Sequence, residues 1–172
     1  MSATTTARGT KRVRDGVTCV EFARTFDAPI RDVWAAVTQS DRLARWVGTW
    51  DGEPSLGEVQ FQMLYEGDDV PAETFSIDAC DAPRLLRITS TAISGDGVQV
   101  WKLRLDLTEV EDVTTLTFCQ DVPDPSLAEG VGPGWHYYLD RLVIAETGGD
   151  PAQIEWADYY PALCEHYRAE FG

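Results

Sequence analysis

The sequence predicts an α+β fold in which a long C-terminal helix covers one face of a curved antiparallel sheet. Three observations carry that expectation. From Gly48 to Asp121 apolar residues recur with a period of two, the spacing of strands with one buried face. Beyond Pro125 the period becomes helical, with Trp135, Tyr138, Leu139, Leu142 and Val143 on one stripe. A one-sided meander leaves an apolar face open, and a helix laid across it is the two-layer solution.

The elements follow in order. Val20, Phe22 and Phe26 share one parity, with Arg24 a charged exception, and predict a first strand. Asp27-Ala28-Pro29 reads as a helix start, and Ile30, Val33, Trp34 and Val37 form one helical face. Ser40 can cap a second short helix ending near Trp46. In the meander, Val59, Phe61, Met63 and Tyr65 alternate with Gln60 and Gln62, and Phe75, Ile77 and Ala79 alternate with polar neighbours. Leu86 and Ile88 follow the turn residues Asp81 to Pro83. Trp101, Leu103, Leu105 and Leu107 make the cleanest strand, and Leu116 with Phe118 makes the last. Gly130, Gly132, Pro133 and Gly134 interrupt any helix begun at Ser126, so the long helix is expected to start near Pro133 and stop at Gly148-Gly149. Tyr160, Leu163, Tyr167 and Phe171 then share one side of a short helix, expected to pack on the back of the long one near Tyr137 and Ile144.

The 172 residues suit one domain that folds without staples. The expected division is a disordered basic leader over 1–15, the main domain over 16–149 and an aromatic extension over 150–172. Arg8, Lys11, Arg12 and Arg14 make the leader basic, so the remainder is more acidic than the total of −15. A body so acidic repels phosphate backbones and excludes nucleic acid as a partner. No apolar run approaches the ~20 residues that cross a bilayer, so no membrane partner is expected. With no apolar secretory segment at the N-terminus, the expected location is the cytoplasm. Cys19, Cys80, Cys119 and Cys164 form no C-x-x-C pair and are expected as reduced, buried thiols.

Several strings resemble a known family: Phe26-Asp27-Ala28-Pro29-Ile30 through Val33-Trp34, Leu43-Ala44-Arg45-Trp46, and above all Gly132 through Leu142 (GPGWHYYLDRL). Together with the element order they are similar to the START-like, SRPBCC (polyketide cyclase-like) superfamily. The branch resembled is the one named after the activator of the heat-shock protein 90 ATPase, over roughly residues 17–147. The resemblance implies a helix-grip fold: a sheet of about seven strands wrapped around the long helix, two short helices after the first strand, and a cavity between the layers. It also implies a second copy of the chain as a candidate partner, because relatives often pair. Superfamily members bind lipids, hormones or polyketides, or act as cyclases, so the fold leaves the chemistry open.

The candidate ligand-binding residues are Trp46, Tyr65, Phe75, Trp101, Trp135 and Tyr138, all on faces assigned inward, with Leu142 and Glu146 from the helical stripe. Large aromatics with a few polar tips suit a hydrophobic molecule in a cavity of about 300–1,000 Å³. Against this, buried aromatics more often simply fill a core. Glu146 lies in the last helical turn and is expected to snorkel to solvent; facing a cavity, it would instead be the best acid or base. His136 and Asp140 share a helix face roughly 100° or more from the Trp135 stripe, and are expected as a surface pair beside the pocket. His136 and His166 lie in different segments with no cysteine pair near them, so no metal is expected. No nucleophile elbow and no phosphate loop are present, and no cofactor and no catalytic set are expected.

Three readings follow, in this order. The first is non-enzymatic binding of a small hydrophobic molecule. The second is a cyclase-like or hydrolytic enzyme that uses Glu146 or Tyr65 in the same cavity. The third is a co-chaperone-like interaction domain that uses the outer strand face and the acidic surface.

Overall fold

A computed structural model describes residues 9–67, 70–94 and 97–172, with the side chains of 92–94 left aside. In chain order its elements are β1 (Thr10–Arg14), β2 (Val17–Phe26), α1 (Ile30–Thr38), α2 (Ser40–Leu43), β3 (Gly48–Asp51), β4 (Glu58–Met63), β5 (Glu73–Asp81), β6 (Leu85–Ser94), β7 (Gly97–Val110), β8 (Val113–Asp121), α3 (Ala128–Glu146) and α4 (Cys164–Phe171). The strands form one antiparallel sheet in the order β1-β2-β8-β7-β6-β5-β4-β3. Strands β3 to β8 are a plain meander. The two helices between β2 and β3 carry the chain across the concave face, so β2 ends up beside β8, with Phe22 opposite Phe118.

The eighth strand corrects the expected leader. Thr10 to Arg14 pair with β2, from Thr10 opposite Glu21 to Arg14 opposite Val17, and Arg14 Nη2 donates to Glu21 Oε2 at 2.7 Å. A carboxylate on the neighbouring strand gives the basic arm a place to dock. Residues 1–8 of the expected leader lie outside the described residues.

The core forms where α3 crosses the sheet. Val20 and Phe22 of β2, Leu103, Leu105 and Leu107 of β7 and Leu116 and Phe118 of β8 meet Leu139 and Leu142 of α3, all at most 6% exposed. Each fully buried side chain of this kind contributes about 1.5–3 kcal/mol.

Helix α3 begins at Ala128 and runs through Pro133, five residues ahead of the expected start. A proline inside a helix removes the N–H that would serve the carbonyl four residues back, here Glu129. The Cys164 thiol supplies that carbonyl instead, donating at 3.2 Å. Gly132 serves a second purpose, because a Cβ there would lie 2.4 Å from the Tyr167 ring. Local sequence argues for a break; the C-terminal segment makes continuation tolerable.

That segment folds over the back of α3. Tyr137 meets the rings of Trp156 and Tyr159 at 5.2 and 5.4 Å, and Leu163, just before the last helix, is buried with Tyr167 and Phe171 of that helix. Tyr160, expected on the same apolar side, is 44% exposed and stacks on Trp156.

Candidate functional site

Between the concave sheet, α1 and the N-terminal half of α3 lies a cavity of about 690 Å³. The inward positions of β4 to β8 alternate, with one register shift between Ile77 and Ala79 that turns Cys80 toward the cavity, while the helices bridge them at a distance. Strand parity supplies Phe61 and Met63, Phe75 and Ile77, Leu86 and Ile88, Trp101 and Leu103, and Phe118. The helices and the segment after α2 add Trp34, Trp46, Trp50, Trp135 and Tyr138. Phe61 and Phe75 stack at 4.7 Å, and Phe118 packs on Trp135 at 4.5 Å.

The walls are held by their own polar tips. Trp46 Nε1 donates to the Ala36 carbonyl at 3.0 Å and Trp50 Nε1 to the Thr38 carbonyl at 2.7 Å, tying both indoles to α1. Trp135 Nε1 donates to Gln120 Oε1. Tyr138 Oη donates to Glu66 Oε1 at 3.0 Å, and burial together with the Glu66 charge pushes this phenol well above its usual range, so it stays a donor. Ser90 Oγ donates to Glu73 Oε2 at 2.6 Å. Such placements fix rotamers and keep the aromatic faces toward the open volume.

Five of the eight residues singled out from the sequence line this space: Trp46, Phe75, Trp101, Trp135 and Tyr138. The other three are placed elsewhere. β4 ends at Met63, so alternation fails at Tyr65; its ring is 40% exposed, its hydroxyl donates to the Ala44 carbonyl at 2.5 Å, and the Arg141 guanidinium lies 3.9 Å from its centroid. Leu142 is fully buried in the core beneath α3. Glu146 does not face the cavity and is mostly covered: its side chain is 11% exposed, lines a separate hollow beside Asp27 and Asp32, and is held by Arg42, with Arg45 at 3.8 Å. The cavity follows only the first turns of α3, whereas the sequence stripe runs its whole length.

The pair expected on the surface is also corrected. His136 is fully buried and Asp140 is 6% exposed, because the C-terminal segment covers that face of α3. Arg24 Nη2 donates to Asp140 Oδ1 at 3.1 Å, Tyr159 Oη donates to Asp140 Oδ2 at 2.7 Å, and His136 Nε2 lies 3.5 Å from the same oxygen. Burial and the Asp140 hydrogen bond push the Tyr159 phenol up, keeping it a donor. The charged exception on β2 is thereby explained: Arg24 faces inward to meet Asp140.

Sequence reasoning missed Gln120, Ser90 and Glu73 as cavity residues. Each continues the inward parity of its strand, after Phe118, after Ile88 and before Phe75 respectively, so the signal was a polar residue on an apolar parity. The cysteines are free thiols, three buried, while Cys80 is exposed and borders the cavity. Among the described residues no group of three or more metal-ligating side chains converges, and no helix is long and apolar enough to cross a membrane.

Comparison with known proteins places this geometry. The family described as activator of Hsp90 ATPase homolog 1-like protein matches residues 27–145. CalU16 from Micromonospora echinospora shares 25% identity over 95% of each chain, with a TM-score of 0.73. EF2215 from Enterococcus faecalis, a conserved protein of unknown function, shares 20% identity over 94% of this chain and 89% of its own, at a TM-score of 0.68. The protein encoded by BPP1335 of Bordetella parapertussis shares 20% over 99% and 94%, at 0.67, and these two show the fold alone. No curated protein matches the sequence.

Proposed function

The chain belongs to the activator of Hsp90 ATPase homolog 1-like family, a branch of the START-like superfamily of ligand-binding and cyclase-like proteins, and from that premise we propose that it binds a small hydrophobic molecule in its cavity without transforming it. The observation that carries this is an aromatic-walled volume of about 690 Å³, of the size that encloses a drug-like or metabolite-sized ligand. Trp46, Phe75, Trp101, Trp135 and Tyr138 supply its contact surface.

The polar groups facing the cavity serve one another. Ser90 donates to a carboxylate with no imidazole between them, and an activated serine needs such a base held in turn by a third group. His136 is buried on the face of α3 that the C-terminal segment covers, and His166, within that segment, lies 3.2 Å from the Gly9 carbonyl. Glu146, the best acid or base of the enzymatic reading, is tied to Arg42 outside the cavity.

Native mass spectrometry of the purified protein, followed by denaturing analysis of what is released, tests the proposal. A retained small molecule, lost in Trp135→Ala and in the cavity-filling Ile88→Phe, is the expected result. A clean mass together with failure to bind any apolar fluorescent probe would refute it. Conversion of a bound molecule during incubation would favour the cyclase-like reading instead.

A further inference from the structure

We propose that the cavity selects a cation: its ligand is an aromatic or alicyclic amine that seats its ammonium group against Glu73. The inference rests on the reading of the cavity as a ligand site and adds the ligand's charge.

Among the described residues that line the cavity, the charged ones are Glu66 and Glu73; no Lys, Arg or His is present. Glu73 stands on the inward parity of β5 with Phe75 and opposite Phe61 of β4, and Ser90, its hydrogen-bond partner, lies opposite Phe75 on one side and Trp101 on the other. A carboxylate flanked by aromatic rings is the arrangement that holds an ammonium, by charge-assisted hydrogen bonds and by attraction to the ring faces. Ser90 engages one carboxylate oxygen, and a carboxylate has about four acceptor sites, so capacity remains for a ligand's N–H groups.

Four of the wall's donors are engaged within the protein. Trp46 and Trp50 give theirs to α1, Trp135 to Gln120 and Tyr138 to Glu66. The charges the wall presents are both carboxylates. Arg141 and Arg42 do not line the cavity: Arg141 donates to the Trp46 and Pro151 carbonyls, and Arg42 pairs with Asp32 and Glu146. An acid of the same shape would bring its carboxylate against Glu73 with no counter-charge, and a like-charge contact within an apolar cavity opposes binding. The chain's net charge of −15 acts in the same sense at long range, drawing cations to the mouth and repelling anions.

The test is a matched series measured by isothermal titration calorimetry: 2-(1-naphthyl)ethylamine, 2-(1-naphthyl)ethanol and 1-naphthylacetate, at neutral pH and low salt. The amine is expected to bind about tenfold more tightly than the alcohol, and the carboxylate most weakly. Glu73→Gln keeps an acceptor for Ser90 and should bring amine and alcohol to within about threefold of each other. If that variant does not fold, wild-type titrations at raised ionic strength read the same effect, weakening the amine and leaving the alcohol unmoved. Equal affinity of amine and alcohol, or tighter binding of the carboxylate, overturns the cation assignment while the cavity stands as a binding site. Failure of all three probes overturns both.

Discussion

Replacing Gly132 by alanine should destabilise this protein, although the same change in an ordinary helix stabilises. An added Cβ would lie 2.4 Å from Tyr167 Cγ and Cδ1, against about 3.5–4.0 Å for a carbon–carbon contact. The ring cannot step aside. Tyr167 is fully buried, its ring centroid lies 6.3 Å from that of Phe22, and its hydroxyl accepts the Gly9 N–H at 2.8 Å. Overpacking of this kind costs about 1–3 kcal/mol, more than the ~1 kcal/mol by which alanine exceeds glycine in helix propensity. Truncating the ring in Tyr167→Ala should itself cost about 3–5 kcal/mol, and in that background only the propensity gain remains. The sign of Gly132→Ala should therefore invert, with a coupling energy of about 2 kcal/mol or more between the sites. Urea denaturation of the four proteins, followed by circular dichroism, measures the cycle. Equal effects of Gly132→Ala in both backgrounds, or a stabilised single mutant, would refute the claim that the C-terminal segment imposes the glycine.

Asp140→Ala strips Arg24 of its buried carboxylate partner and Tyr159 of its acceptor, and should lower stability by about 3–5 kcal/mol in the same assay; a loss under ~1 kcal/mol would contradict the burial of the cluster. Cys164→Ala leaves the Glu129 carbonyl without its thiol donor and should cost about 1 kcal/mol, recovered by Cys164→Ser. For Glu21, burial raises the carboxyl, but the hydrogen bond and charge of Arg14 outweigh it and hold the group below its ordinary value of 4.5. The sign follows from linkage: this stabilisation is complete above the ordinary value and is lost as pH falls through the lower folded one. Glu21→Gln should accordingly flatten the acid limb of stability against pH, and an unchanged limb would dismiss the pairing of β1 with β2 as a contributor.

Two clusters that the structure assembles share one cause. Arg141, 4% exposed, donates to the Trp46 and Pro151 carbonyls and lies over the Tyr65 ring. Arg24 reaches through the core layer to Asp140. Both guanidiniums link α3 to segments distant in sequence, so the helix that covers the cavity is fixed from behind and at its side. A cavity can stay open only if the elements around it are held by something other than its own contents.

Periodicity and helix-start signals determined the one-sided meander, the two short helices, the long covering helix and five of the eight candidate residues, because strand parity, helical stripe and caps are local properties of the chain. It could not show where a pattern stops. Tyr65 obeys the parity of β4 but lies past its end, and Leu142 and Glu146 obey the stripe of α3 but lie beyond the cavity. Nor could it distinguish a solvent-facing pair from a covered one: His136 and Asp140 are buried by residues that follow them in the chain, and their partner Arg24 is 116 residues away. Pro133 states the contrast most plainly. Its local preference is to break the helix, and what decides otherwise is a thiol at position 164 and a ring at 167, brought to α3 only by the fold. Local backbone and side-chain preferences are written in the sequence, whereas the burial and partnering that override them arise from contacts between distant segments.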